Sequence, residues 1–213
     1  MPERGQYIVL EGSDGAGKST QLRALKARLH HENVPSSFTF EPGGSPIGKD
    51  IRRLLLNPDT PIQSTEAEIA LFTAERAELW HTVIEPNLRD GINVISDRNW
   101  YSTLAYQVAS KPELESTIAA VTSALLPSDY VTPNLAIVLM LSQEERKRRH
   151  EALFGLRGDG GDNIESRGVT YHEKVHRVYE TLPLRLGARA IQADGTEEEV
   201  AERVWSAVAP FVA

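Results

Sequence analysis

Hydrophobic positions along the chain fall into two alternating kinds of run. Short, dense runs occupy Tyr7 to Leu10, Ser37 to Phe40, Asn93 to Ser96, Leu135 to Met140 and Ala190 to Ala193. Runs of this length and composition read as strands. Longer stretches between them carry apolar residues at helical spacing: Gln21 to Leu29 is one, and Thr65 to Ile84 is the clearest. In the latter, Ile69, Phe72, Leu79, Trp80 and Val83 recur along one helical stripe. Thr65 followed by Glu68 has the form of a capping box, and Pro86 is expected to close the helix. This alternation predicts an α/β fold with a parallel sheet covered by helices on both faces. The one irregular segment, residues 151–168, holds five glycines with Arg157 and Arg167.

A length of 213 residues fits a single α/β domain with a full core. The composition, 40% hydrophobic and 25% charged, is that of an ordinary globular protein. A net charge of −7 argues against broad binding to nucleic acid or anionic membranes. The absence of cysteine excludes disulfides, thiolate catalysis and Cys-based metal sites. No stretch approaches the roughly 18 apolar residues of a spanning helix. The first residues contain no apolar leader, so a cytoplasmic enzyme is expected.

Gly12-Ser13-Asp14-Gly15-Ala16-Gly17-Lys18-Ser19 matches the phosphate-binding pattern G-x-x-x-x-G-K-[ST]. Its setting is the required one: a strand ends at Glu11 and a helix begins near Lys18. Glycines let backbone N–H groups converge on phosphate oxygens. Lys18 supplies a point charge to the outer phosphates, and Ser19 offers a hydroxyl to Mg²⁺. The Lys18 side chain is expected to face solvent in the absence of nucleotide. Val94-Ile95-Ser96-Asp97 ends a strand on an acid, so Asp97 can approach the metal or can cap the helix that follows. No N-K-x-D guanine motif is present.

Further segments resemble those of the thymidylate kinase family. Tyr7 through Gln21 is similar to that family's P-loop at nearly every position. Glu41-Pro42-Gly43-Gly44-Ser45-Pro46-Ile47-Gly48 resembles its bacterial Glu-Pro-Gly-Gly loop. Leu71-Phe72-Thr73-Ala74-Glu75-Arg76 resembles its base-binding helix. Asp97-Arg98, then Ser102-Thr103-Leu104-Ala105-Tyr106-Gln107, resembles its Asp-Arg signature. Phe72 and Arg76 are four apart and share a helix face, where an aromatic plane beside a guanidinium suits a pyrimidine.

The resemblance implies a three-layer P-loop NTPase fold with strand order 2-3-1-4-5. It implies ATP binding at Gly12, Ser13, Asp14, Gly15, Ala16, Gly17, Lys18, Ser19, Thr20 and Arg149. It places dTMP against Asp14, Glu41, Pro42, Phe72, Arg76, Arg98, Thr103, Tyr106 and Gln107. Arg98 would hold the acceptor phosphate, Asp14 would lie near the 3′-hydroxyl, and Tyr106 would sit under the sugar. Residues 150–168 would form a lid carrying Arg157, as in the members with lid arginines, and Lys18, Arg98, Arg157 and Asp14 would be the catalytic set. Mg²⁺, held at Ser19 and Asp97, is the implied cofactor. Phe40, Asn99, Met140 and Asn163 depart from the family's usual residues.

The implied reaction is ATP + dTMP → ADP + dTDP. Two alternatives stay open at this point: a kinase for dUMP or a modified thymidylate, and a nucleotide-binding regulator without turnover. A homodimer is expected from the resemblance and from the stripe on Thr65 to Ile84, which looks wider than one core face. Neither nucleic acid nor a membrane is expected as a partner.

Overall fold

Period-two alternation sends successive side chains of a strand to opposite faces, and in this chain that alternation builds two separate cores. The computed structural model describes residues 3–149, 164 and 167–212. In β1 (Tyr7–Glu11), Tyr7 and Val9 point to one side of the sheet, and Ile8 and Leu10 to the other. The remaining strands are β2 (Ser36–Phe40), β3 (Asn93–Asp97), β4 (Leu135–Met140) and β5 (Arg189–Gln192). All neighbouring pairs are parallel, in the order β2-β3-β1-β4-β5.

On one face lie α1 (Lys18–His31) and α10 (Glu197–Val212), contributing Leu25, Leu29, Val200, Val204 and Val208 to the core with Ile8, Leu10 and Ile137. On the other lie α3 (Thr65–Leu79), α5 (Trp100–Ser110), α6 (Glu115–Leu125) and α9 (Val169–Leu186), packed on Tyr7, Val9, Val94 and Val138. Shorter elements are α2 (Pro46–Leu56), α4 (Glu85–Arg89), α7 (Ser128–Val131) and α8, which covers residues 143–149. The expected layers and strand order are therefore present. β5 begins one residue earlier than the hydrophobic run suggested, because as an edge strand it keeps Arg189 and Gln192 exposed and buries only Ile191.

Three local expectations need correction. The N-cap of α3 is Ser64, whose Oγ accepts from Ala67 N at 3.2 Å, and Thr65 is already helical. Serine satisfies the orphan N–H from one residue upstream, so the pairing of Thr65 with Glu68 is not a capping box. Pro86 does not end the helix. Residues Trp80–Ile84 form a π turn, and Pro86 then stands in the first turn of α4, where its missing N–H costs no hydrogen bond. The stripe on α3 is also covered within the chain: Ile69, Phe72, Leu79 and Trp80 are all buried. That stripe gives no argument for a second subunit.

β1 lies between β3 and β4; the chain leaving β1 enters α1 on one face of the sheet, and the chain leaving the neighbouring β3 enters α5 on the other. A crevice opens at such a switch point. The P-loop follows β1, Arg98 follows β3, and both reach this crevice.

Candidate functional site

The P-loop is shaped by backbone that only glycine adopts easily. Gly12, Gly15 and Gly17 have φ of 146°, 79° and 95°. A Cβ on Gly12 would meet the Leu139 carbonyl oxygen at 2.9 Å, so β4 itself forbids a side chain there. Gly17 caps α1 without any side-chain acceptor, leaving the first N–H groups of the helix directed at the crevice. Lys18 does not face solvent as the sequence suggested. It is 8% exposed, and its Nζ donates to Gly12 O at 2.9 Å and to Ser13 O at 3.2 Å. Two carbonyls inside the loop's curve offer the ammonium partners that satisfy it without a ligand. Burial first, and the like charge of Arg98 second, bring Lys18 down to about 8.

Arg98 stands at φ 76°, unusual for a side-chain-bearing residue, immediately after β3. Its position turns the guanidinium back over the P-loop. Nη1 donates to Gly12 O at 3.2 Å, Ser102 Oγ at 3.0 Å and Tyr179 Oη at 2.8 Å. Nη2 donates to Asp14 Oδ1 at 2.6 Å and Tyr106 Oη at 3.2 Å. Tyr106 Oη in turn donates to Asp14 Oδ2 at 2.7 Å. Burial pushes the Asp14 carboxyl up, but Arg98 and Lys18 outweigh it and leave the group below its usual range.

Behind Arg98, the fully buried Glu11 accepts from Asn99 N, Ser102 N, Ser102 Oγ and Tyr179 Oη, at 2.8 to 3.1 Å. Sequence reading treated Glu11 only as the end of a strand and did not single out Tyr179. Nothing local marks a contact that spans 168 residues. Asn99, one of the departures, is the N-cap of α5, with Oδ1 accepting from Tyr101 N at 2.9 Å. Asp97 is thus not the cap, and its Oδ1 is buried without a partner among the described residues.

A second pocket adjoins the first, and the two share Asp14, Glu41, Arg52 and Arg98. Its wall holds Phe72, Arg76, Thr103, Tyr106 and Gln107. The Arg76 guanidinium lies 5.3 Å from the Phe72 ring centroid, as the four-residue spacing predicts. Nε donates to Glu41 Oε2 at 2.8 Å, Nη1 to Thr103 Oγ1 at 2.6 Å and Nη2 to Asn99 O at 3.1 Å. Gln107 donates to Glu68 at 3.0 Å, while its Oε1 is buried without a partner among the described residues. Pro42 follows a cis peptide bond and joins the same wall. All nine residues expected at the acceptor line this pocket.

Of the residues expected at the donor, Asp14 through Thr20 and Arg149 line the larger pocket, with Asp97, the 193–196 loop and Glu197 and Val200 of α10. Arg149 Nη1 donates to Gly15 O at 3.3 Å and Nη2 to Ala193 O at 2.9 Å, so it clamps the P-loop against that loop. Gly12 and Ser13 stand behind the lining, with Ser13 Oγ buried and without a partner among the described residues. Arg157 and Asn163 lie outside the described residues. Arg52, which sequence reading did not single out, reaches the seam of both pockets from α2. Its guanidinium is 5.9 Å from the ring of the departing Phe40, and Nη1 donates to Pro42 O at 2.8 Å.

Residues 10–204 match the family model described as thymidylate kinase. The thymidylate kinase of Halothermothrix orenii is 36% identical over 206 residues, covering 96% of this chain and 97% of its own. That of Chlorobium chlorochromatii is 37% identical over 226 residues, covering 97% and 99%. That of Deinococcus radiodurans is 34% identical over 211 residues, covering 96% and 97%.

Proposed function

The chain belongs to the thymidylate kinase family and performs ATP-dependent phosphorylation of dTMP to dTDP; we propose that the two joined pockets divide this work, with ATP over the P-loop and dTMP against Phe72 and Arg76. The observation that carries the assignment is the state of the Arg76 guanidinium. It has five N–H groups, and the described residues occupy three of them. The remaining two are suited to a carbonyl oxygen such as O4 of thymine. The unpartnered Gln107 Oε1 is an acceptor for the base N3–H, and Phe72 supplies the stacking face. Cytosine offers an amino group where thymine has O4 and lacks the N3–H, so both contacts oppose it.

On the donor side, Lys18 and the loop amides hold the outer phosphates, and Arg149 flanks the nucleotide. The buried, unpartnered Asp97 Oδ1 and the Ser19 hydroxyl on the same pocket wall fit Mg²⁺, which takes one or two protein oxygens and completes its shell with phosphates and water. Bound there, Mg²⁺ would neutralise charge on the transferring phosphoryl group.

Arg98 binds the acceptor phosphate. An oxygen of that phosphate attacks the γ-phosphorus as the bond to the β–γ bridging oxygen breaks. The nucleophile is already anionic, so alignment and charge neutralisation suffice and no strong general base is needed. Asp14 accepts from the sugar 3′-hydroxyl, and Tyr106 lies beneath the sugar. Thr103, whose oxygen accepts from Arg76, keeps its own proton for the base edge.

A homodimer belongs to the same reading, on a different surface from the α3 stripe. Ile47 and Leu54 of α2 are 54% and 57% exposed, and Ala70 and Ala74 are exposed on the adjacent α3. Light scattering at micromolar concentration that reports only monomer removes this part. No helix among the described residues is long and apolar enough to cross a membrane, and the cytoplasm is the compartment this reading implies.

The base-reading assignment is tested with two substitutions. Arg76→Ala lowers kcat/KM for dTMP and narrows the gap to dCMP, with KM for ATP unchanged. Phe72→Ala weakens both pyrimidines together, because stacking does not read the C4 substituent. An unchanged dTMP-to-dCMP ratio in Arg76→Ala refutes the assignment.

A further inference from the structure

A guanidinium that must present two particular N–H groups to a base is only as selective as the groups that hold its orientation. Behind Arg76 stands Glu41, itself buried, with Oε2 taking the Arg76 Nε–H. Behind Glu41 stands Tyr130 of α7, in the same core as α3 and 89 residues away in sequence. Its hydroxyl lies 2.8 Å from Glu41 Oε1 and 2.9 Å from Oε2. Tyr130 is fully buried and touches neither pocket.

The ring of Tyr130 is fixed independently of its hydroxyl. It stacks on Tyr7 at 5.7 Å and 25°, and meets Trp80 edge-on at 6.0 Å and 85°. Trp80 opens the π turn, so this aromatic triad ties the base-binding helix to β1 and α7. The hydroxyl is therefore the one part of Tyr130 that packing does not explain.

We propose that Tyr130 is a positioning residue for base selection: its hydroxyl fixes the Glu41 carboxylate, which fixes the Arg76 guanidinium that meets the base. This rests on the base-reading role given to Arg76 above. A carboxylate with one charged partner can rotate about its last torsion, and a second donor facing both oxygens removes that freedom. The three residues form a chain in which only Arg76 touches substrate.

The groups facing Glu41 set how this chain responds to pH. They are Arg76 and Glu75 from α3, Tyr130 from α7 and Tyr7 from β1, with the Asp97 carbonyl of β3 taking the Glu41 N–H; Arg52 of α2, Asp14 of the P-loop and Arg98 line the same two pockets with it. Burial, with the like charge of Glu75, outweighs Arg76 and the Tyr130 hydroxyl and leaves the Glu41 carboxyl raised, at about 8. Removing the hydroxyl leaves the ionised form with less support, so Glu41 protonates at a higher pH.

The test is Tyr130→Phe, which keeps the ring in its triad. The expected result is a rise in KM for dTMP of about 5- to 30-fold, the range of a lost buried hydrogen bond. KM for ATP is unchanged, the dTMP-to-dCMP ratio of kcat/KM falls, and the acid limb of kcat/KM for dTMP moves to higher pH. A merely structural tyrosine would lower Tm without moving the ratio or that limb. In an Arg76→Ala background, Tyr130→Phe should leave the ratio where Arg76→Ala put it, since both act through one guanidinium. A Tyr130→Phe enzyme with the parent's ratio and acid limb, while Arg76→Ala collapses the ratio, overturns the proposal and leaves base reading by Arg76 intact. A ratio untouched by Arg76→Ala overturns the base-reading role and this proposal with it.

Discussion

Asp14 Oδ1 and Arg98 Nη2 stand 2.6 Å apart although 84 residues separate them in the chain. The pair lies at the seam of the two pockets, where the proposed division of the site would have a phosphoryl group pass from donor to acceptor. With Glu11, Tyr106, Tyr179 and Ser102 around it, the guanidinium is oriented before any phosphate arrives. Preorganised charge of this kind needs little rearrangement during the reaction.

Arg98→Ala should lower kcat/KM for dTMP by at least about 100-fold, the scale of one charged contact to the transition state. It should also destabilise the fold, because Glu11 and Asp14 lose their cation. Asp14 is 39% exposed and partly screened, so the loss sits near the low end for a broken buried pair, about 3 kcal/mol. Arg98→Lys should rescue neither quantity, since an ammonium cannot span acceptors on two sides. Steady-state kinetics and urea unfolding read both effects.

Lys18→Ala should cut turnover by at least about 100-fold while leaving the protein folded. The side chain is buried, but its ammonium is held below its ordinary range there, so its removal relieves a strained charge as well as losing two bonds to carbonyls. Near-normal phosphotransfer by this variant contradicts the mechanism.

The same residue sets an alkaline limit. Lys18 titrates near 8 in the nucleotide-free protein, and only its charged form attracts phosphate. A pH profile of kcat/KM for ATP should therefore fall as pH rises through about 8, whereas kcat, which reports the nucleotide-loaded enzyme, should hold to higher pH. For stability the sign is opposite. The folded pKa lies below the unfolded one, so the unfolded chain binds more protons between about 8 and 10.5, and this group's contribution to stability increases with pH across that window.

Gly44→Ala should destabilise more than most loop substitutions. A Cβ there would collide with Thr39 Oγ1 and meet Leu79 Cδ1 at 2.7 Å and the Phe40 carbonyl oxygen at 2.8 Å. Overpacking on this scale costs about 1–3 kcal/mol. Thermal unfolding should show the loss, and KM for dTMP should rise because the loop carries Glu41 and Pro42.

The parts of this molecule that were legible in the sequence are those whose logic is local. The P-loop sits between an adjacent strand and helix, and Phe72 and Arg76 meet because four residues make a turn. The parts that were not legible depend on distant chain segments meeting at the crevice. Tyr179 reaches Glu11 and Arg98 from α9, and Tyr130 reaches Glu41 from α7; neither carries a motif. Asn99 departs from the family pattern for a plain reason, since Asn is among the best N-caps and α5 starts there. At Ser64 and Thr65 two adjacent residues could each cap, and periodicity alone does not choose between them. Pro86 has the form of a terminator, yet it stands in the first turn of α4 directly after the π turn, an arrangement that residue type alone does not reveal.

The central claim is the acceptor, and the most direct measurement is a coupled assay of ADP formation from ATP across dTMP, dUMP, dCMP and the purine monophosphates. The account predicts the highest kcat/KM for dTMP, with dCMP lower by about 5- to 150-fold from the unmatched base edge alone. Equal use of dCMP and dTMP, or ADP release that no monophosphate accelerates, would contradict it.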